Sequence, residues 1–156
     1  MRTNVKAFPM HITFVDNQDF ERLLLKIVIN RLSAQVQFSE VASAKALLEF
    51  LNSGTGLPDI IFLDYDMPEQ DGVDCLRELR DNSRFRNIPV IMYANLALPQ
   101  QVLAAWQNGA DYYLVKPFDL REISSIFEWC IANKPQRNPY RDRTEFLISP
   151  QHLPAA

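Results

Sequence analysis

Short apolar runs alternate with longer segments of helical period along most of this 156-residue chain. The runs that favour strands are residues 12–15, 35–38, 60–63, 88–93 and 112–115. After each run, apolar residues recur three and four positions apart, the spacing that places them on one face of a helix. Five strands that alternate with five helices predict an α/β fold, a doubly wound five-stranded parallel sheet with helices on both faces.

The composition excludes several classes of protein. A hydrophobic share of 47% is enough for a buried core, and 22% charged residues is ordinary for a folded domain. The net charge of −3 comes with no basic run, so we expect no nucleic-acid partner. No apolar run approaches the length of a membrane span, and Cys75 and Cys130 form neither a metal motif nor a disulfide framework. These features predict a cytoplasmic protein without membrane insertion.

Polar residues stand where the predicted strands end. Asp16 and Asn17 follow the first strand, Asp64 follows the third, and Lys116 follows the fifth. The carboxyl ends of the strands in such a sheet border one crevice, where ligands bind. Two carboxylates and a third oxygen ligand suit Mg²⁺, and a lysine supplies a positive charge for a phosphoryl group. An aspartate beside the metal can itself act as the nucleophile and become an aspartyl-phosphate.

Several segments carry a family resemblance. They are Val15-Asp16, the run Leu63-Asp64-Tyr65-Asp66-Met67-Pro68 with Gly72, the run Ile88-Pro89-Val90-Ile91-Met92, and Val115-Lys116-Pro117-Phe118. In this order and spacing, over residues 10–131, the chain resembles the receiver domain of two-component response regulators. The resemblance implies the flavodoxin-like receiver fold in a single-domain protein of the CheY kind, with no output domain. Residues 132–156 would then form a proline-containing tail, either anchored on the domain or disordered. The candidate anchors are Tyr140, Phe146, Leu147 and Ile148.

The resemblance also implies roles for individual residues. Asp64 is the implied phosphoacceptor, and Lys116 is the residue that contacts the phosphoryl group. Asp16, Asp64 and the backbone carbonyl of Asp66 are the implied ligands of Mg²⁺. Pro117 follows a lysine whose peptide bond the family commonly keeps cis. The surface built from the fourth helix, the fifth strand and the fifth helix is the implied partner face.

Two positions depart from the family pattern. Asn17 stands where the family usually has a second acidic residue, so it would reach the metal only through water, and we expect Mg²⁺ to bind weakly. Ala94 stands where the family has Ser or Thr, whose hydroxyl binds the phosphoryl group. That hydroxyl also draws the aromatic switch residue inward, which is Tyr113 in this chain. We therefore expect phosphorylation to shift the partner face only modestly.

The expected function is that of a phosphorelay response regulator rather than a dedicated enzyme. A histidine kinase or phosphotransfer protein would phosphorylate Asp64, and the regulator would signal by contact with an output protein that the sequence does not name. Its own chemistry would be limited to loss of the phosphoryl group that it carries.

Two alternatives stay open at this point. The departures at Asn17 and Ala94 are compatible with a pseudo-receiver, a binding module that works without phosphorylation. A haloacid-dehalogenase-type phosphatase also has a D-x-D pattern, which Asp64-Tyr65-Asp66 matches. In that family, however, the pattern normally follows the first strand, and a late acidic pair that this chain lacks completes the metal site.

Overall fold

A parallel sheet forms the centre of the molecule, of which the computed structural model describes residues 9–32 and 36–154. Within these residues the strands are β1 (Met10–Val15), β2 (Val36–Val41), β3 (Ile60–Asp64), β4 (Val90–Ala94), β5 (Tyr112–Val115) and β6 (Leu147–Ile148). They are hydrogen-bonded in the order β2-β1-β3-β4-β5-β6, and every neighbouring pair is parallel. The predicted α/β class is confirmed, while the sheet has six strands here rather than five.

Helices cover both faces of this sheet. In the described part of the chain they are α1 (Asp19–Leu32), α2 (Ala44–Leu51), α3 (Gly72–Asp81), α4 (Pro99–Gln107) and α5 (Leu120–Asn133). The side chains of Ser43, Asp71 and Asp119 accept hydrogen bonds from backbone N–H groups in the first turns of α2, α3 and α5. Pro99 occupies the first position of α4, where its missing N–H has no cost. None of these helices is both long and apolar enough to cross a membrane.

Two apolar layers hold the strands in register, one on each face of the sheet. Because successive side chains of a strand point to opposite faces, Ile61 packs with α2, α3 and α4, whereas Phe62 packs with α1 and α5. The ring of Phe62 stacks on Phe14 at 5.4 Å and meets the edge of Phe127 at 5.3 Å between centroids. Burying each such side chain stabilises the fold by about 1.5–3 kcal/mol. This packing fixes where the strands end.

Four of the five predicted strands have different bounds in the structure. β1 begins at Met10 rather than residue 12, and β3 ends at Asp64 rather than residue 63. β2 extends to Val41 rather than residue 38, and residue 35 lies outside the described residues. β4 begins at Val90 rather than Ile88, because Pro89 has no backbone N–H to offer the sheet. The N–H of Ile88 donates instead to the carbonyl of Phe85, 3.0 Å away, in the preceding turn.

The C-terminal tail turns back and becomes part of the sheet. Lys134 ends α5 in a left-handed backbone conformation, with φ of 45°. Arg137 Nη1 then lies 3.0 Å from Asp111 Oδ1, and the N–H of Tyr113 donates to the carbonyl of Phe146 at 2.8 Å. β6 continues beside β5. The tail is therefore anchored on the domain as far as residue 154, which is the first of the two predicted alternatives. Its strand β6 is too short for a sequence pattern to predict.

The candidate anchors of the tail differ in exposure. Phe146 and Ile148 are buried, at 2% each, whereas Leu147 is 47% exposed and Tyr140 is 93% exposed. The ring of Phe146 meets the edge of Trp106, with 5.2 Å between centroids. Two of the four predicted anchors thus enter the core, one on each face of the sheet.

The peptide bond between Lys116 and Pro117 is trans, as are all peptide bonds in the described part of the chain. The predicted cis bond is therefore wrong. The trans form is favoured by about 0.5–1 kcal/mol before a proline, so a cis bond needs a local structure that overrides this preference. Here the N–H of Lys116 donates to the carbonyl of Ala94 at 2.7 Å, so the chain continues the ladder for one residue beyond β5.

Candidate functional site

Three side chains meet in a crevice at the carboxyl ends of β1, β3 and β5. Asp16 follows β1, Asp64 is the last residue of β3, and Lys116 follows β5; they are 0%, 1% and 8% exposed. The ammonium of Lys116 lies 3.4 Å from Asp16 Oδ2 and 3.3 Å from Asp64 Oδ1. The sheet thus brings together the residues that the sequence places at separate strand ends.

A fourth charged residue, Glu21, was not predicted. It lies in the first turns of α1, and its Oε2 is 2.8 Å from Lys116 Nζ, closer than either aspartate. Asp16, Glu21 and Asp64 each offer one carboxylate oxygen, and these oxygens lie within 4.8 Å of one another. An acidic residue in the first turn of a helix is ordinarily explained by the helix dipole, so the sequence gives little reason to assign Glu21 to the crevice.

The carboxylate of Asp64 is only half satisfied. Its Oδ1 accepts a hydrogen bond from the N–H of Asp66 at 3.0 Å, and Lys116 lies beside the same atom. Its Oδ2 is buried and has no hydrogen-bond partner among the described residues. A buried acceptor without a partner costs about 1–3 kcal/mol, so this oxygen is oriented and available for a ligand.

Burial and mutual contact alter the acidity of the crevice. Burial raises the pKa of Asp64, although hydrogen bonding from Asp66 and the charge of Lys116 oppose the rise. Burial, together with a hydrogen bond to Glu21, raises the pKa of Asp16 to about 8. Burial also acts to raise the pKa of Glu21, but the hydrogen bonds from Asp16 and Lys116 outweigh it and the net shift is downward. Burial in the crevice therefore favours the protonated form of Asp16, and a bound cation would displace that proton.

An aromatic ring lies beneath the lysine. The Lys116 ammonium is 4.9 Å from the centroid of the Tyr93 ring, which is buried at the end of β4. Burial opposes the charged form, but Glu21 and the two aspartates outweigh it and raise the pKa of Lys116. The lysine is therefore positively charged and points into the crevice.

The loop after Asp64 depends on a glycine. Gly72 begins α3, and its N–H donates to the carbonyl of Tyr65 at 3.0 Å. A Cβ at this position would lie 2.4 Å from the backbone oxygen of Asp64 and 2.8 Å from Met92 Cε. Only glycine lets α3 start this close to the phosphoacceptor candidate, which explains the spacing from Asp64 to Gly72.

The remaining predicted residues lie around the crevice rather than in it. Asn17 is exposed and lines a neighbouring cavity of about 350 Å³ together with Met67. The side chain of Asp66 is exposed, in keeping with a predicted role for its backbone alone. Ala94 is fully buried at the end of β4.

The candidate switch residue, Tyr113, is already inside. Its side chain is 0% exposed, and its hydroxyl donates to the carbonyl of Leu96 at 2.7 Å and to Gln101 Oε1 at 3.4 Å. Phe146 of the tail lies against the same ring, with 6.4 Å between centroids. The inward position thus has its own hydrogen bonds and does not depend on a hydroxyl at position 94.

Comparisons with known proteins identify the family of this chain. Residues 12–128 match the family model described as the response regulator receiver domain. The two-component response regulator ORR11 of Oryza sativa is 29% identical over 119 residues, which are 76% of this chain and 79% of that protein. ARR9 of Arabidopsis thaliana, also a two-component response regulator, is 27% identical over 135 residues, covering 74% of this chain and 57% of that protein.

Solved structures show the same fold. The phosphorylated cyanobacterial phytochrome response regulator RcpA superposes with a TM-score of 0.75 at 16% identity, covering 83% of this chain and 99% of that one. The Mn²⁺-bound response regulator Rcp1 gives a TM-score of 0.72 at 20% identity, with 79% and 95% covered. A parallel sheet with acidic residues and a lysine at one edge defines a receiver fold. This chain belongs to the response regulator receiver family. Proteins of this family act in two-component signalling and are not dedicated enzymes, so the phosphatase alternative is not supported.

Proposed function

We propose that Asp64 accepts a phosphoryl group from the phosphohistidine of a histidine kinase or phosphotransfer protein, with Mg²⁺ bound beside it. One observation carries the proposal. The buried Asp64 carboxylate keeps Oδ2 without a partner, while Lys116 Nζ stands 3.3 Å from Oδ1. Because histidine kinases take their phosphoryl group from ATP, we propose a cytoplasmic location for the reaction.

The transfer needs a nucleophile that is ionised and oriented. Asp64 Oδ2 attacks the phosphorus atom, the bond between phosphorus and the donor imidazole nitrogen breaks, and the imidazole leaves with the electron pair and takes up a proton. The hydrogen bond from Asp66 to Oδ1 keeps the carboxylate from turning away. Loss of the phosphoryl group to water would return Asp64 to its starting state, which is the only reaction we assign to the protein itself.

The donor set suits a hard divalent cation. Asp16, Asp64 and the backbone carbonyl of Asp66 would hold Mg²⁺, and Asn17 would contribute weakly through water. The unpartnered oxygen of Asp64 and the carboxylate oxygens within 4.8 Å of one another support this fit. When bound, the metal would offset the negative charge of the transferring group.

Lys116 is proposed to contact the phosphoryl group. Its ammonium lies among the carboxylates, and Tyr93 packs against it at 4.9 Å. A fixed positive charge in a buried site stabilises charge on a phosphoryl oxygen without having to reorganise. The lysine is thus placed for the product as well as for the transfer.

The phosphodonor would dock over an apolar groove beside Lys116. The groove has a volume of about 520 Å³, and its lining includes Phe20, which is 68% exposed, and Phe118, which is 101% exposed. A donor histidine must approach Asp64 from the open side of the crevice, so the donor's surface has to contact this rim. We propose that residues 10–131 are the receiver unit and that the output comes from contact with a separate protein.

A mass measurement tests the phosphoacceptor. Treatment with acetyl phosphate and Mg²⁺ should add one phosphoryl group to the wild type and none to Asp64→Asn. Asp66→Asn is the matched control, because only the backbone of Asp66 takes part, so it should still be phosphorylated. If Asp64→Asn gains the same mass as the wild type, the assignment is wrong.

A pseudo-receiver is the second candidate. The inward Tyr113 and the buried Ala94 favour it, because the protein already holds the position that phosphorylation would stabilise elsewhere in the family. In that case wild type and Asp64→Asn would both remain unphosphorylated, and both would bind the same partner equally well.

A further inference from the structure

The crevice contains one more carboxylate than the predicted metal site uses. Asp16 and Asp64 come from strand ends, whereas Glu21 reaches the same point from α1, the helix that follows β1. Arg22, the next residue of that helix, donates from Nη1 to the backbone oxygen of Asp16 at 2.5 Å. The start of α1 is therefore tied to the end of β1, and Glu21 is held facing the crevice.

The cluster is more than a coincidence of acidic residues. Asp64 Oδ2, in a residue that is 1% exposed, has no partner. In addition, Lys116 Nζ lies 2.8 Å from Glu21, 3.3 Å from Asp64 and 3.4 Å from Asp16, so the three carboxylates already surround one cation. An arrangement that holds an ammonium in this way can hold a divalent cation with water when the cation displaces the lysine from Glu21.

We propose that Glu21 supplies the second acidic metal ligand that Asn17 cannot, so that the metal centre of this receiver is Asp16, Glu21 and Asp64. The inference rests on the proposed metal-dependent function. Glu21, four residues along the chain from Asn17, supplies from the helix the negative charge that is missing at the strand end. Glu21 has the reach for this, because its longer side chain is 30% exposed and can change rotamer between the lysine and the metal.

A third carboxylate at the metal site raises the expected affinity for Mg²⁺. With Asn17 as the neighbouring residue, the site has the charge of two carboxylates. With Glu21 included, it has three, and the absence of an acid at position 17 costs little. The alternative is that Glu21 serves only to tether Lys116, with no contact to the metal.

The experiment is calorimetric titration of the full chain with Mg²⁺, without any phosphodonor. Glu21→Gln should weaken binding about tenfold, the effect of one unit charge near the metal. Glu69→Gln is the matched control, because it removes the same charge from an exposed position in the loop after β3, and it should stay within about twofold of wild type. The double variant Asn17→Asp/Glu21→Gln should recover most of the lost affinity.

The tethering alternative is tested in a second background. In Lys116→Met there is no ammonium to tether, so Glu21→Gln should still weaken Mg²⁺ binding if Glu21 is a ligand. Equal binding with and without Glu21→Gln in that background overturns the inference and leaves the phosphoacceptor proposal standing. Should Lys116→Met not fold, failure of Asn17→Asp to rescue Glu21→Gln overturns it equally. Wild type that takes up no Mg²⁺ at all would refute the metal centre itself.

Discussion

Two aspartates of this protein are equally buried and differently surrounded. Asp111, 2% exposed, accepts hydrogen bonds from the N–H of Val90 at 2.9 Å, Arg80 at 3.2 Å and Arg137 at 3.0 Å. Asp64, 1% exposed, keeps one oxygen without any partner. The first region, the tail edge formed by Asp111, β5, β6 and residues 134–154, supplies hydrogen-bond donors to both oxygens of its buried carboxylate. The second, the crevice of Asp16, Glu21, Asp64 and Lys116, is crowded with charge.

Buried charge contributes to stability in the first region and to reactivity in the second. At the tail edge a buried carboxylate is fully neutralised by two arginines, and aromatic rings close over β5. In the crevice three carboxylates share one lysine, and burial favours the protonated form of Asp16. We therefore expect substitutions of buried residues in the tail edge to destabilise the protein, and removal of a buried aspartate charge in the crevice to stabilise it at the expense of its chemistry.

The largest expected effect is at Phe146. Its ring is 2% exposed and packs against Trp106 and Tyr113, so Phe146→Ala should lower the free energy of unfolding by about 3 kcal/mol. Tyr140→Ala, in the same tail but 93% exposed, should change it by less than about 0.5 kcal/mol. Chemical denaturation of both variants measures the difference. Similar losses in the two variants would mean that the tail does not stabilise the fold through Phe146.

An effect of opposite sign is expected at Asp16. Its pKa is raised from 3.8 to about 8 in the folded protein, so the folded state binds its proton more tightly than the unfolded state does. The contribution of this residue to stability is present at acid pH and is lost as the pH rises from about 4 toward 8. Asp16→Asn should therefore be more stable than wild type by at least about 1 kcal/mol at pH 8.

Measuring unfolding at several pH values checks the sign as well as the size. The gain from Asp16→Asn should shrink as the pH falls from 8 to 4, since the unfolded state then takes up the proton that folded Asp16 already holds. Glu128→Gln, at an exposed position of α5, is the control for charge removal and should show no such trend. A gain that grew toward acid pH would contradict the assignment of the proton to Asp16.

The smallest expected effect concerns communication between the two regions. Phosphorylation should move the amide resonances of Gln18 and Asp66, which contact the two aspartates, much more than that of Phe146. Tyr113 is already inside and bound to the carbonyl of Leu96, so a phosphoryl group has little left to pull inward. NMR spectra with and without acetyl phosphate measure this.

A substitution sharpens that expectation. Ala94→Thr restores the hydroxyl at the end of β4, and it should enlarge the shift at Tyr113 if the hydroxyl is the missing link. Full shifts at Tyr113 and Phe146 in wild type, with no further change in Ala94→Thr, would mean that the crevice and the tail edge are coupled by another route.

Much of the fold and part of the crevice follow from sequence alone. The alternation of apolar runs with helical stripes predicts the α/β sheet, because burial on both faces leaves a pattern in every strand. The sequence also predicts three residues of the crevice, Asp16, Asp64 and Lys116. Each stands directly after a predicted strand, and the carboxyl ends of the strands lie at one edge of the sheet. The proximity of these three residues can therefore be predicted without knowing how their side chains pack.

The features that sequence does not predict depend on tertiary contacts. Glu21 enters the crevice only because of the direction in which α1 leaves β1, and its spacing from Asp16 does not reveal that direction. β6 is a two-residue strand in a proline-containing segment, which carries no periodicity of its own. The inward position of Tyr113 depends on the carbonyl of Leu96 and on Phe146, 33 positions along the chain from it. Such contacts have no local signature.

The short sixth strand also has a consequence for how copies of the protein meet. A sheet that ended at β5 would offer a row of free backbone N–H and C=O groups for pairing with another chain. β6 covers that row with Leu147 and Ile148 and then stops, because Pro150 follows and Ser149 bridges back to His152. The outer border left on this side is two residues long and closed by a turn. This border of the sheet is therefore protected against edge-to-edge pairing with another copy at high concentration.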